Sequence, residues 1–89
     1  DSNVAAAQSA DELLTIKDVN MSFVLVRNKE YINISGRSVG DMNVQVILEY
    51  LGGGGHLNMA GAQVYTTDME EAKAKLYEAI AQYKKEIKP

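Results

Sequence analysis

The residues that invite chemistry sit close together in the middle of the chain. Gly52, Gly53, Gly54 and Gly55 are four of its seven glycines, and they are followed at once by His56, its only histidine. In a regular element each glycine costs roughly 0.5–1 kcal/mol relative to alanine, so four together imply backbone angles or close approaches that other residues cannot reach. Loop N–H groups that converge make an anion site. A phosphate beside His56 would favour the charged imidazole, through charge-assisted hydrogen bonds of about 1.5–3 kcal/mol each. The competing reading is structural: one glycine after Leu51 is an ordinary helix C-cap, and a lone histidine is commonly a surface or core residue. Four glycines joined to the one imidazole favour the anion site.

The loop fits neither common phosphate motif. No Lys-Ser or Lys-Thr follows it, as a Walker A loop requires, and the later glycine of GxGxxG is absent. It also follows a helical pattern, and a helix C-terminus repels anions, so loop amides and His56 would have to hold the charge. Arg37 is the one fixed cation between Asn33 and Gln63, set against Asp41 and Glu49. Alone it reads as a solvated strand-end arginine. Its functional reading is a fork for phosphate oxygens, helped by Ser38 and by free amides at the following helix start. A nine-residue helix between the two anchors spans roughly 13 Å. Either the segment from Gly52 to Gly61 folds back, or a ligand reaches from Arg37 to His56.

A metal site within the chain is disfavoured, because His56 has no second imidazole and no carboxylates are spaced as ligands. No nucleophile and base pair stands out either. The domain is expected to bind and orient, with bond cleavage performed elsewhere. Tyr31, Tyr50 and Tyr65 are equally placed to stack on a base or to be core or surface.

Composition narrows the ligand. The net charge is −3, so no broad basic surface is available to hold long duplexes by counterion release. One or two phosphates suit a single arginine better than a polymer does. The absence of cysteine excludes disulfides, zinc–thiolate clusters and thiol nucleophiles. No apolar run approaches the roughly 20 residues that span a bilayer, and no signal-peptide pattern opens the chain. Eighty-nine residues, 46% of them hydrophobic, make one domain. The start DSNVAAAQ, without Met, reads as an excised piece of a longer protein whose upstream part holds a share of the function.

The elements that must position these residues follow from periodicity. Ala-rich residues 4–14 predict a helix. Residues 21–28 alternate Met21, Phe23, Leu25 and Arg27 with Ser22, Val24 and Val26, and residues 31–37 place Ile32 and Ile34 on one face; the two read as strands of an antiparallel hairpin turning at Lys29 and Glu30. Asp41 is the expected N-cap of a helix of nine or ten residues whose core face is Val44, Ile47, Leu48 and Leu51. A third strand is expected over 62–66. A last helix carries Met69, Ala72, Leu76, Ile80, Tyr83 and Ile87 inward, starting at a capping box of Thr67 and Glu70, with Glu71, Lys75, Glu78, Gln82 and Lys85 as a solvated charge stripe. The expected fold is α+β: a small mixed β-sheet with an antiparallel hairpin, helices packed mainly on one face.

Taken together, GRS at 36–38, NVQVI at 43–47, GGGGH at 52–56, and Ala60 with Gly61 resemble the C-terminal DHH-associated domain of the DHH phosphoesterases, most like the membrane-anchored bacterial cyclic di-AMP phosphodiesterases of the GdpP type. The resemblance covers nearly the whole chain, so residues 1–89 read as one DHH-associated substrate-binding domain. Met59 departs from the small residue of many relatives. The resemblance implies a hydrolase in which an upstream DHH domain of the same protein carries two manganese ions, while this domain, inactive by itself and without a cofactor of its own, grips the substrate. Gly53, Gly54, Gly55 and His56 would hold a phosphate, Arg37 and Ser38 the same or the neighbouring one, with Asn43 and Asn58 as secondary contacts. The implied partner is a cyclic or short linear dinucleotide, and the implied location is the cytoplasmic side of a membrane-anchored protein, without membrane contact by this domain. Two alternatives stand beside it: the same domain in a nanoRNase or single-strand exonuclease, and a non-enzymatic nucleotide sensor or a homodimerisation unit using the open hairpin edge.

Overall fold

The computed structural model describes residues 11–87. They form an antiparallel five-stranded sheet of β1 (Asp11–Ile16), β2 (Met21–Arg27), β3 (Ile32–Ser38), β4 (Gly54–His56) and β5 (Met59–Val64) in the order β1-β2-β3-β5-β4, covered on one face by two helices, α1 (Val44–Tyr50) and α2 (Met69–Ile87). The α+β class expected from the sequence is present; the pairing is antiparallel throughout, where a mixed sheet was expected.

The first element corrects an expectation. Residues 11–14 are not helical: Asp11–Ile16 is strand β1, paired from Asp11 with Val26 to Ile16 with Met21. The part of the expected helix over residues 4–10 lies outside the described residues. Weak helix propensity gives way here to cross-strand pairing, which lets Leu14 and Ile16 pack against the core. A single 3-10 turn, Lys17–Val19, follows and ends at Asn20 in the left-handed region (φ 52°), a conformation asparagine tolerates.

Strands β2 (Met21–Arg27) and β3 (Ile32–Ser38) form the expected hairpin. Their inward residues, Met21, Phe23, Leu25, Ile32 and Ile34, are buried. Helix α1 spans Val44–Tyr50, seven residues, shorter than expected. Its N-cap is Asn43, not Asp41: Asn43 Oδ1 accepts from the Val46 N–H at 3.3 Å, while Asp41 stays exposed in a turn closed by the Met42 N–H to Val39 O at 3.3 Å. Val44, Ile47 and Leu48 are fully buried as expected, and Leu51 packs partly.

Past α1 the chain folds back. Gly54–His56 forms β4 and Met59–Val64 forms β5, so the strand expected over 62–66 begins three residues earlier, ends two residues earlier, and pairs with a strand where a loop is expected. Helix α2, Met69–Ile87, starts at Asp68, whose Oδ1 accepts from the Glu70 N–H at 3.0 Å. The cap is thus one residue beyond the expected Thr67; Thr66 Oγ1 supports it by accepting from the Asp68 N–H and donating to Glu71. Ala72, Leu76, Ala79, Ile80 and Tyr83 are buried, whereas Ile87, expected inward, is exposed at the helix end. Ion pairs pin α2 to the sheet's β1 side, Lys73 to Glu12 at 2.9 Å and Lys84 to Asp18 at 2.7 Å. Tyr50 donates to Glu86 and so ties α1 to α2; this hydrogen bond raises the Tyr50 pKa and lowers that of Glu86.

Candidate functional site

The face of the sheet away from the helices is open, and the strand register decides what stands on it. Arg37 is opposite Met59, and Met59 is opposite His56. Directly opposed residues share a face, so Arg37 and His56 stand in one row across three strands, their Cα atoms roughly 10 Å apart by strand spacing. The segment after α1 does fold back, and the two anchors are neighbours instead of lying at opposite ends of a helix. Both are exposed, and no ion pair of Arg37 is found among the described residues, Asp41 and Glu49 included.

The row is held by a small polar clamp. His56 and Met59 close a two-residue turn, Leu57 and Asn58, in which neither residue has the positive φ that tight hairpins usually require. Bonds from outside replace that preference: Leu57 O accepts from the Val44 N–H at 3.0 Å, and Asn58 O accepts from the Ser38 N–H at 3.1 Å. Ser38 Oγ lies 2.6 Å from Met42 O and 3.0 Å from Leu57 O, and Asn58 Nδ2 donates to Ser38 Oγ at 3.0 Å and to Gly40 O at 3.2 Å. The β3–α1 connection and the β4–β5 turn are thereby locked together. Of the residues expected to meet a phosphate, Ser38 and Asn58 serve in this clamp, and the Asn43 side chain caps α1 while its N–H donates to Tyr83 Oη at 2.8 Å.

The glycine run divides into parts with different physical causes. Gly52 has φ 85°, and its N–H donates to Glu49 O while that of Gly53 donates to Leu48 O at 2.8 Å, which together make a Schellman cap. The structural reading of the first glycines therefore holds, and the Gly53 amide is not available to an anion. Gly53 has a second constraint, since a Cβ there would come within 2.0 Å of Gly61 O. Gly54 has none: nothing lies within 4 Å of where its Cβ would stand. Strand β4 is an edge strand of the sheet, so Gly54–His56 lie along a sheet edge in place of the expected loop nest.

Next to the Arg37 row, the outward positions are small: Ser35 is opposite Gly61, and Gly61 opposite Gly54. They floor a shallow trough whose far side carries Asn33 opposite Gln63. Two hollows flank it, one of about 450 Å³ at the end bearing Thr15, Ser22 and Arg37, and one of about 400 Å³ bearing Asn33, Gln63 and Tyr65. Sequence reasoning gave Asn33 and Gln63 no role and left Tyr65 unassigned. The alternation of Met59, Gly61, Gln63 and Tyr65 against Ala60, Ala62 and Val64 carried the signal once the strand was begun at Met59. A larger groove of about 750 Å³ runs on from the second hollow, with which it shares Gln63 and Tyr65, between the end of α1 and the charge stripe of α2, and contains neither Arg37 nor His56. Among the described residues no group of three His, Cys, Asp or Glu side chains could hold a metal ion.

Comparison with known proteins identifies the family. The DHHA1 domain family model matches residues 2–86. The cyclic-di-AMP phosphodiesterase GdpP of Geobacillus thermodenitrificans (strain NG80-2) is 49% identical over 87 residues, 97% of this chain and 13% of that protein. The cyclic-di-AMP phosphodiesterase PdeA of Listeria monocytogenes serotype 1/2a (strain 10403S) is 48% identical over 81 residues, 90% of this chain and 12% of that protein. The chain thus spans about an eighth of the length of these curated relatives. Among solved structures, an exopolyphosphatase-related protein from Bacteroides fragilis matches with a TM-score of 0.68 and 41% identity, over 78% of this chain and 20% of that one. As its arginine, glycine and histidine motifs implied, the chain belongs to the DHHA1 domain family.

Proposed function

We propose that this domain is the substrate-gripping part of a cyclic di-AMP phosphodiesterase, with Arg37 and His56 holding the dinucleotide's phosphates on the open sheet face. The observation that carries the reading is the single cross-strand row that brings these two side chains together, both exposed. A planar guanidinium presents a fork to phosphate oxygens, and an imidazole two strands away can meet the same group or the next one along a dinucleotide. Gly54 leaves room for the ligand beside His56, Gly53 and Gly55 keep β4 close to β5, and Ser38, Asn43 and Asn58 act by fixing the row. The curated relatives reported above are named as cyclic-di-AMP phosphodiesterases, which supports the choice of ligand.

Bond cleavage falls outside this chain. The reading assigns it to a DHH domain of the same protein, with two manganese ions to activate water. The present residues bind and orient, and the 89-residue chain alone is expected to hydrolyse nothing. The reading also puts the domain on the cytoplasmic side of a membrane-anchored protein; among the described residues no helix is long and apolar enough to cross a membrane.

Calorimetric titration with cyclic di-AMP, linear pApA and a longer oligoadenylate tests the reading. Cyclic di-AMP or pApA should bind more tightly than the longer strand. Arg37→Ala and His56→Ala should each weaken binding at least fivefold with unchanged circular dichroism, since both side chains are exposed. Normal binding by both variants would remove the site assignment, and preference for the longer strand would move the function to a single-strand nuclease.

A further inference from the structure

We propose that Asn33, Gln63 and Tyr65 form a base subsite selective for adenine, on the far side of the trough from Arg37. The inference rests on the nucleotide reading above and names the part of the ligand that reading leaves unplaced. Three observations converge on it. The hollow they line, about 400 Å³, is of small-ligand size, within the range of roughly 300–1,000 Å³. Its polar groups are two amides facing each other across β3 and β5, the side-chain type that pairs with adenine's adjacent acceptor and donor, N7 and N6. One of those amides is already oriented: Tyr65 Oη donates to Gln63 Oε1 at 3.0 Å, which turns the Gln63 NH₂ group out as a donor. Asn33 makes no side-chain hydrogen bond among the described residues, so its oxygen remains to accept from an exocyclic amine.

Tyr65 adds the flat surface a base requires. It is 75% exposed, unusual for so large a ring, and leans on Tyr31 with ring centroids 5.7 Å apart at 59°. A ring held by a neighbour but open on its other side is a stacking platform. Spacing agrees as well. Asn33 and Arg37 are four residues apart on β3, roughly 13 Å, about the reach of a nucleoside phosphate from base edge to phosphate. Between them Ser35, Gly61 and Gly54 leave room for the sugar. Adenine's acceptor and donor match the Gln63 NH₂ and the Asn33 oxygen, whereas guanine presents two acceptors at that edge and would require Asn33 to turn its NH₂ inward beside that of Gln63.

The test separates base from phosphate. On the full chain, Gln63→Ala and Tyr65→Ala should each weaken cyclic di-AMP binding roughly tenfold and leave ribose 5-phosphate binding unchanged, whereas Arg37→Ala should weaken both. Wild type should prefer cyclic di-AMP to cyclic di-GMP, and Asn33→Ala should erode that preference. As a readout that needs no variant to fold, the side-chain NH₂ resonances of Asn33 and Gln63 should move on addition of AMP and stay in place with ribose 5-phosphate. The subsite is overturned if those resonances ignore AMP, if the Gln63 and Tyr65 variants bind cyclic di-AMP within twofold of wild type, if they lose both ligands alike, or if cyclic di-GMP is preferred. Should Arg37→Ala leave every ligand unaffected while the amide resonances follow AMP, the phosphate assignment fails and the base subsite stands.

Discussion

One sheet presents two unlike faces in this domain. The covered face is uniform, with Phe23, Leu25, Ile32 and Ile34 at zero exposure beneath Ile47, Leu48 and Leu76. The open face is heterogeneous: exposed hydrophobics such as the Leu13–Val24 pair and Met59, a floor of Ser35, Gly61 and Gly54, then a cation, an imidazole, amides and a tyrosine at fixed register positions. Stability is concentrated on the first face and the proposed recognition on the second. Because alternate residues of the same strands serve both, the core that holds Ile34 and Ala62 in place also fixes Asn33, Arg37 and Gln63.

The sharpest way to break this division is to cut each face in turn. Leu48→Ala opens a cavity under the sheet and should cost about 2–5 kcal/mol, read from urea denaturation with ligand absent. Leu13→Ala, at a residue 68% exposed on the other face, should shift stability by no more than about 0.5 kcal/mol. Equal effects would mean that the open face is covered by something and is not a recognition surface.

A finer cut separates two adjacent glycines. Gly53→Ala places a methyl group against the β5 backbone, where nothing can give way, and should destabilise by about 1–3 kcal/mol. Gly54→Ala meets no atom and has no left-handed φ, so the fold should be unchanged or gain up to about 1 kcal/mol. Under the proposed function Gly54→Ala nonetheless weakens cyclic di-AMP binding, because it raises the floor beside His56. Stability and affinity measured on the same two variants should therefore move in opposite order.

The same division explains what could be read from the chain beforehand. The core was legible, since period-two spacing in residues 21–37 and the 3.6 period of α1 and α2 are properties of neighbours in sequence. The site was legible in its parts: glycines, His56 and Arg37 are rare enough in this composition to stand out. Their adjacency was not, because the β4–β5 hairpin lacks the Asn-Gly or Asp-Gly signal of a tight turn and is held instead by Ser38 and Val44 from a distance. The β1 error has a related cause. Asp11–Ile16 carries only weak local preference, and its strand character comes from the β2 edge that it pairs with. Ser38, Asn43 and Asn58 look like ligand groups in a list of polar residues, and only their hydrogen bonds show them holding backbone.

The smallest expected effect concerns the charges that fasten α2 and α1 together and pin α2 to β1, away from the trough. Hydrogen bonding to Glu12, and secondarily to Glu70, raises the Lys73 pKa above 10.5, so the stability this contributes is complete below about pH 10.5 and is lost as pH rises through the folded value. Hydrogen bonds from Tyr50, then Gln82, lower the Glu86 pKa below 4.5, so that contribution is present above about pH 4.5 and is lost as pH falls through the folded value. Exposed pairs of this kind contribute little. Lys73→Met should therefore flatten the alkaline limb of thermal midpoint against pH, and Glu86→Gln the acid limb, each by a small amount and with the neutral plateau nearly unchanged. Neither variant should alter cyclic di-AMP affinity at neutral pH, since both act on the helix layer; a change there would show that the helices set the geometry of the open face through more than the buried core.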